Sequence, residues 1–190
     1  STKVVSLRPA QWAMMVAAAL VFVLSATFVF QSMNEGDSYS SGDAIMFVQL
    51  SDGSNIWLEK NSTLKIDNSF GGDQRQVELQ GKAFFDIFRD EARPFIIDAH
   101  HVDVKVLGTK FTIDAFDDTP VVAVRSGKVE VKADEETKII NKGYQLELTS
   151  TGNLSESLID IEVAFDWPNG DLSFKNASLT RVFADLGNYF

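Results

Sequence analysis

The sequence predicts a mainly β protein with one N-terminal transmembrane helix, an exported all-β domain (sandwich or solenoid-like) and the start of a small α/β domain. Three observations predict it. Trp12 to Phe30 carries no charged residue and, with Ala10 and Gln11 ahead of it, is long enough as a helix to cross a ~30 Å hydrocarbon core. From Asp43 to about Leu148 the chain reads as short alternating apolar runs broken by turn residues, the signal for strands. Near the C-terminus, Leu179, Val182, Phe183, Leu186, Tyr189 and Phe190 recur at helical spacing.

The apolar stretch comes first because it decides the compartment of everything after it. Within lipid every backbone polar group must be satisfied inside the segment, and a helix does this for a single span. Ser25 and Thr27 are its polar side chains, and both can bond back to the preceding turn. Lys3 and Arg8 precede the span and no acid does, which places the N-terminus in the cytoplasm, with Trp12 at the inner headgroups. The competing reading is a cleaved signal peptide. Ser25-Ala26-Thr27 makes a poor cleavage site, with Phe28, Val29 and Phe30 still to come. The chain begins at Ser1, and the expectation is that upstream sequence precedes it, leaving residues 1–9 as a cytoplasmic remnant, 10–31 as the span and 32–42 as a Ser/Gly-rich flexible linker.

A β domain is expected over 43–149. Its strands are Ile45 to Leu50, Asn55 to Glu59, Thr63 to Ile66, Gln76 to Gln80, Ala83 to Arg89 after a break at Gly81, Phe95 to Ala99, Val102 to Val106, a run around Phe111, Ile113 and Ala115, Val121 to Arg125, Lys128 to Lys132 and Tyr144 to Leu148. Val102, Val104 and Val106 alternate with Asp103 and Lys105, so one face is buried and one is wet. Thr112 and Asp114 are expected on the wet side of the Phe111 run. About ten strands joined by close turns imply a sandwich or a solenoid-like wrap. Residues 150–166 read as a connector, polar and loop-like from Ser150 to Glu156 and ambiguous from Leu158 to Phe165. Residues 167–190 hold a turn at Trp167 to Gly170, a brief strand from Asp171 to Phe174 and the helix carrying Leu179, Val182, Phe183 and Leu186, whose apolar stripe is a candidate for partner docking.

Composition excludes several chemistries. All 27 acids lie after residue 33, so the exported part is more acidic than the net −10 of the whole chain and repels phosphate backbones; no nucleic-acid partner is expected. There is no cysteine, hence no disulfide and no thiolate site. His100 and His101 are the only histidines; as strand neighbours they would face opposite sides, so no metal site and no cofactor are expected. There is no Gly-x-Ser-x-Gly elbow, phosphate loop or dinucleotide fingerprint, and the chain does not read as an enzyme.

The strings LSDGSNIWLEKNSTLKI, VELQGKAFFDIFRDEARPFIIDA, VDVKVLGTKFTIDAF and VRSGKVEVK, in this order and spacing, resemble the periplasmic domain of FecR-type anti-sigma regulators. Asp52-Gly53-Ser54, Gly81 to Phe85, Pro94-Phe95 and Val106-Leu107-Gly108-Thr109 with Phe111 hold the family's signature places. WPNGDLSFKNASLTRVFADLGNYF is similar to the start of the C-terminal domain of the Bacteroidetes branch, a domain related to the short N-terminal domain of secretins and TonB-dependent receptors.

The resemblance implies an inner-membrane, single-pass regulator. It would bind an extracytoplasmic-function sigma factor through a cytoplasmic domain not contained in these residues. It would receive its signal from the signalling domain of a TonB-dependent outer-membrane transducer. The resemblance also implies a candidate self-cleavage bond at Gly108-Thr109, attacked by the Thr hydroxyl. Against it stands the plain reading that Gly108 makes a turn or bulge and Thr109 is an ordinary β-former. A different class of function is a membrane-anchored binding module or carbohydrate-active protein, with Trp57, Trp167 and Tyr144 lining a cleft; a third is a self-associating envelope protein with a solenoid body.

Overall fold

The computed structural model describes residues 9–32 and 36–165, and the chain divides into two units, Ser1–Gly36 and Asp37–Phe190. In the first, helix α1 runs over Pro9–Ser32 and opens on a proline, whose fixed φ suits the first helical position. Ser25 Oγ and Thr27 Oγ1 donate to the carbonyls of Phe22 and Leu24, each at 2.9 Å, so neither hydroxyl is left unsatisfied. Met14, Leu20, Val21, Phe22, Val23 and Leu24 are all exposed. Among the described residues, no helix is long and apolar enough to cross a membrane. The side chains of Trp12 and Phe30 lie outside those described.

In the second unit, alternation of period two builds β1 (Ser38–Ser40), β2 (Met46–Gln49), β3 (Asn55–Leu58), β4 (Thr63–Ile66), β5 (Arg75–Asp86), β6 (Phe95–Ala99) and β7 (Val102–Val106). It continues through β8 (Lys110–Ala115), β9 (Val121–Ser126), β10 (Lys128–Ala133), β11 (Glu136–Asn141), β12 (Tyr144–Leu148) and β13 (Leu154–Leu158), and one turn of helix, α2 (Ile161–Ala164), follows. The strands form two sheets that share β5. One runs β1-β4-β5-β6-β7-β10-β11 and the other β2-β3-β5-β8-β9-β12-β13. Only β5 and β6 pair in parallel among the described strands. A solenoid needs stacked parallel coils, so the sandwich reading is the correct one.

The crossing of β5 from one sheet to the other explains why Gly81 does not end a strand, as expected, but sits inside one of 12 residues. Residues 77–80 pair with β4, and 83–86 with β3. At the corner between them Gly81 has φ +93°, and a Cβ there would lie 2.6 Å from Ser62 Oγ and 2.9 Å from the Phe116 ring. The neighbouring Lys82 N–H donates to that same Ser62 Oγ at 2.9 Å. The sheets then face each other across one core in which Phe85 of β5 stacks on Phe111 of β8 (5.0 Å, 10°) and meets Phe95 of β6 edge-on at 6.5 Å.

Other boundaries differ from the sequence reading for local reasons. The end of the expected linker, Ser38–Ser40, is a strand against β4, with Tyr39 packed on the core and Ser41 Oγ accepting from Ser62 N–H at 2.9 Å. β5 ends at Asp86, short of Arg89. β11 was not anticipated; it follows a tight turn in which Asp134 has φ +47°. Within the expected connector, β13 pairs with β12 along its whole length although only Leu154 is buried, because an edge strand exposed on both faces carries no alternation to read. Thr112, expected in solvent, is buried on the outer face of its sheet.

A second, smaller apolar cluster covers that outer face: Phe84, Ala123 and Phe165, flanked by Trp57, Ile159, Ile161 and Ala164. Rings of Phe47, Trp57, Phe84 and Phe165 follow one another at 5.0, 5.4 and 5.9 Å. Trp57 is therefore engaged by Phe47 and Phe84 on this face. Trp167, the expected strand from Asp171 and the helix with Leu179, Val182, Phe183 and Leu186 lie outside the described residues.

Gly81→Ala combines a left-handed backbone with a clash and is expected to lower unfolding stability by about 2–3 kcal/mol. Gly71→Ala, at φ +95° but with nothing within 4 Å of its Cβ, should cost only about 1–2 kcal/mol. Urea midpoints of the two variants check the difference.

Candidate functional site

Apart from Gly81, which stands at the far corner of β5 beside Phe116, the signature residues between Asp52 and Phe111 gather at one end of the sandwich around Arg75. This arginine opens β5 in phase with Val77 and Leu79 and so points inward, where its side chain is fully buried. Its Nη1 donates to Asp52 Oδ2 at 2.8 Å and to the Phe88 carbonyl at 2.9 Å; its Nε donates to the Arg93 carbonyl at 2.9 Å; and its guanidinium lies 5.4 Å from the Phe95 ring centre. Nη2 is buried with no hydrogen-bond partner.

Asp52 in turn caps the β2–β3 turn. Its carboxylate accepts from Ser54 N–H at 2.9 Å and from Ser54 Oγ at 2.8 Å, and Ser54 Oγ accepts from Phe88 N–H at 3.0 Å. Gly53 at φ +87° is the residue this tight turn requires. One arginine thereby ties the Asp-Gly-Ser turn, the segment after β5 and the approach to β6 into one unit. Pro94 contributes its carbonyl to Arg75 N–H at 3.0 Å. The Arg93 side chain donates to Asp90 Oδ2 at 2.8 Å and holds the Asp90 carboxyl below the usual range.

The Val106 to Phe111 stretch closes the same end. Val106 pairs with Phe95, and Phe111 is in the core. Asp90 N–H donates to the Leu107 carbonyl at 2.8 Å, and Ile87 N–H to the Thr109 carbonyl at 3.1 Å. A Cβ on Gly108 would fall 2.5 Å from Arg89 Cα, so the glycine is needed for close approach of two backbones; its φ lies outside the left-handed region. Thr109 Oγ1 donates to the Lys128 carbonyl at 2.8 Å, fastening this turn to β10. In that arrangement the hydroxyl proton rests on a carbonyl oxygen, a group that cannot take it up for an attack on the Gly108 carbonyl. The surface at this end is left to Phe88, Leu107 and Arg89, which are exposed.

His100 and His101 occupy the opposite end, and there the expectation from sequence fails. They are not strand neighbours but the two residues of the β6–β7 hairpin turn, closed by the Ala99 and Val102 pair. A turn lets consecutive side chains share one side, and the two rings sit 3.9 Å apart. Beside them Asp98 has its carboxyl pushed up, by burial first, then by Asp103 and Glu78, with His100 opposing.

Sequence reasoning named the signature turn and strand residues but missed Arg75, Arg89 and Arg93. The available signal was phase: Arg75 stands where the alternation of β5 calls for an apolar side chain. Asp52→Ala leaves the guanidinium buried without its counter-ion and should cost about 3–5 kcal/mol, much of it recovered in Asp52→Ala/Arg75→Met. Denaturant unfolding of the single and double variants tests this. Thr109→Ala should cost about 1 kcal/mol, and on a denaturing gel both parent and variant are expected to run as one intact chain.

Comparison with known proteins agrees with this geometry on two counts. The sequence model of the FecR protein family matches residues 37–130, which contain the whole Arg75 cluster. No curated protein matches the chain. Two crystal structures of a putative anti-sigma factor from Parabacteroides distasonis ATCC 8503, at 1.65 and 2.50 Å resolution, superpose with a TM-score of 0.71 at 31% identity; they cover 80% and 81% of this chain and 74% of theirs. With the signature residues, the fold and these relatives in agreement, the chain belongs to the FecR family of anti-sigma factors.

Proposed function

We propose that this protein is an inner-membrane anti-sigma regulator that relays a signal from a TonB-dependent outer-membrane transducer to an extracytoplasmic-function sigma factor. The observation that carries the membrane part of this reading is the row of exposed apolar side chains on α1 from Leu20 to Leu24. Large apolar groups exposed in series on a helix need a cover, and lipid supplies one without a protein partner. Lys3 and Arg8 before the helix and the acid-rich chain after it orient the N-terminus to the cytoplasm and the β unit to the periplasm.

In this reading the β unit is a rigid relay element without catalytic function. Its turns are locked by buried polar contacts at the Arg75 end, which leaves the C-terminal stretch with Leu179, Val182, Phe183 and Leu186 as the docking element for the transducer's signalling domain. The sigma factor is engaged on the cytoplasmic side.

A reporter active only after export, fused after Ser41 and expressed in a Gram-negative host, is expected to be active, and alkaline carbonate washing should leave the chain with the membranes. Activity confined to a cytoplasmic reporter at the same position would overturn the topology. A pull-down with a transducer signalling domain, carried out with the C-terminal region intact, should retain the chain and lose it on Phe183→Asp.

A further inference from the structure

We propose that the β6–β7 turn and the β8–β9 loop form a binding site for a divalent transition-metal ion of the zinc type, with His100, His101 and Asp118 as ligands. His100 Nε2 and His101 Nε2 lie 3.1 and 3.9 Å from the same atom, Asp118 Oδ1, and one ligand atom from each of the three residues falls within 4.8 Å of the others. Ligand bonds of about 2.0–2.1 Å in tetrahedral geometry separate neighbouring ligand atoms by about 3.3 Å. The two separations from Asp118 bracket that value, and rotation of the two exposed imidazoles would bring the three atoms around one ion, with the fourth position open to water.

Backbone conformation points the same way independently. His100 has φ +60°, and it is the first residue of a two-residue hairpin turn, a place that normally takes glycine. In that conformation its ring lies 3.9 Å from that of His101, so both imidazoles reach the same side of the turn. The surroundings favour a cation as well. Glu78, Asp98 and Asp103 stand directly opposite one another across β5, β6 and β7. Lys65 lies 3.3 Å from Glu78. Like charges in register destabilise a sheet, and here Glu78 and Asp98 line, together with His100 and Phe116, a groove of about 510 Å³. Because His100 and His101 belong to one sheet and Asp118 to a loop of the other, a bound ion would clamp the two sheets together at the end away from Arg75.

The test is calorimetric titration of the untagged full chain in detergent with zinc chloride. One ion per chain is expected, with affinity at least tenfold weaker in both His100→Gly and Asp118→Asn, and a zinc-dependent rise in unfolding temperature that both variants lose. Gly relieves the left-handed backbone and Asp118 is 91% exposed, so neither variant should unfold more easily than the parent without zinc. Absence of saturable binding, or an affinity unchanged in either variant, would overturn the proposal.

Discussion

Everything in the β unit depends on one strand passing through a corner. β5 contributes its first half to one sheet and its second half to the other, so the two sheets are parts of one hydrogen-bonded system rather than separate layers held only by side chains. The corner exists because Gly81 has no Cβ: its left-handed φ turns the strand, and the empty space beside it is filled by Ser62 and Phe116. Ser62 then takes the Lys82 N–H, so the backbone group displaced by the turn is satisfied within the protein. With the corner fixed, Phe85, Phe95 and Phe111 meet from different strands and close the core.

The polar cluster at the Arg75 end has a different part. Burying a guanidinium is costly unless its donors are used, and Arg75 directs three of its hydrogen bonds to Asp52, Phe88 and Arg93. Two of these partners are backbone carbonyls of the segment between β5 and β6, which has no secondary structure of its own. The arginine thus substitutes for sheet pairing exactly where pairing stops. This is why the family signature falls largely on turns: Asp52-Gly53-Ser54, Pro94 and Gly108-Thr109 set the joints, while the strands between them need only alternate.

The family assignment gives the β unit its regulatory setting. The outer face of the second sheet carries the row of Phe47, Trp57, Phe84 and Phe165. At the far end, the histidine turn and Asp118 bring side chains from both sheets to one point. These features lie apart on the fold because each grows from a different edge or turn.

By itself the sequence determined most of the strands, since alternation reports burial directly wherever a strand has one wet and one dry face: β6, β7 and β12 stand where the pattern put them. It also determined the helical character of Pro9–Ser32 and, through its turn signature, the family. Only the tertiary structure decided what depends on partners distant in the chain. Strand β13 is held by backbone pairing to β12 and leaves no periodic trace. Gly81 reads as a break until two sheets are seen to share its strand. Arg75 is legible as an oddity of phase, but its counter-ion lies 23 residues away. His100 and His101 face one side because they form a turn rather than a strand. Periodicity records which face of an element is wet; it does not record which other element lies against it.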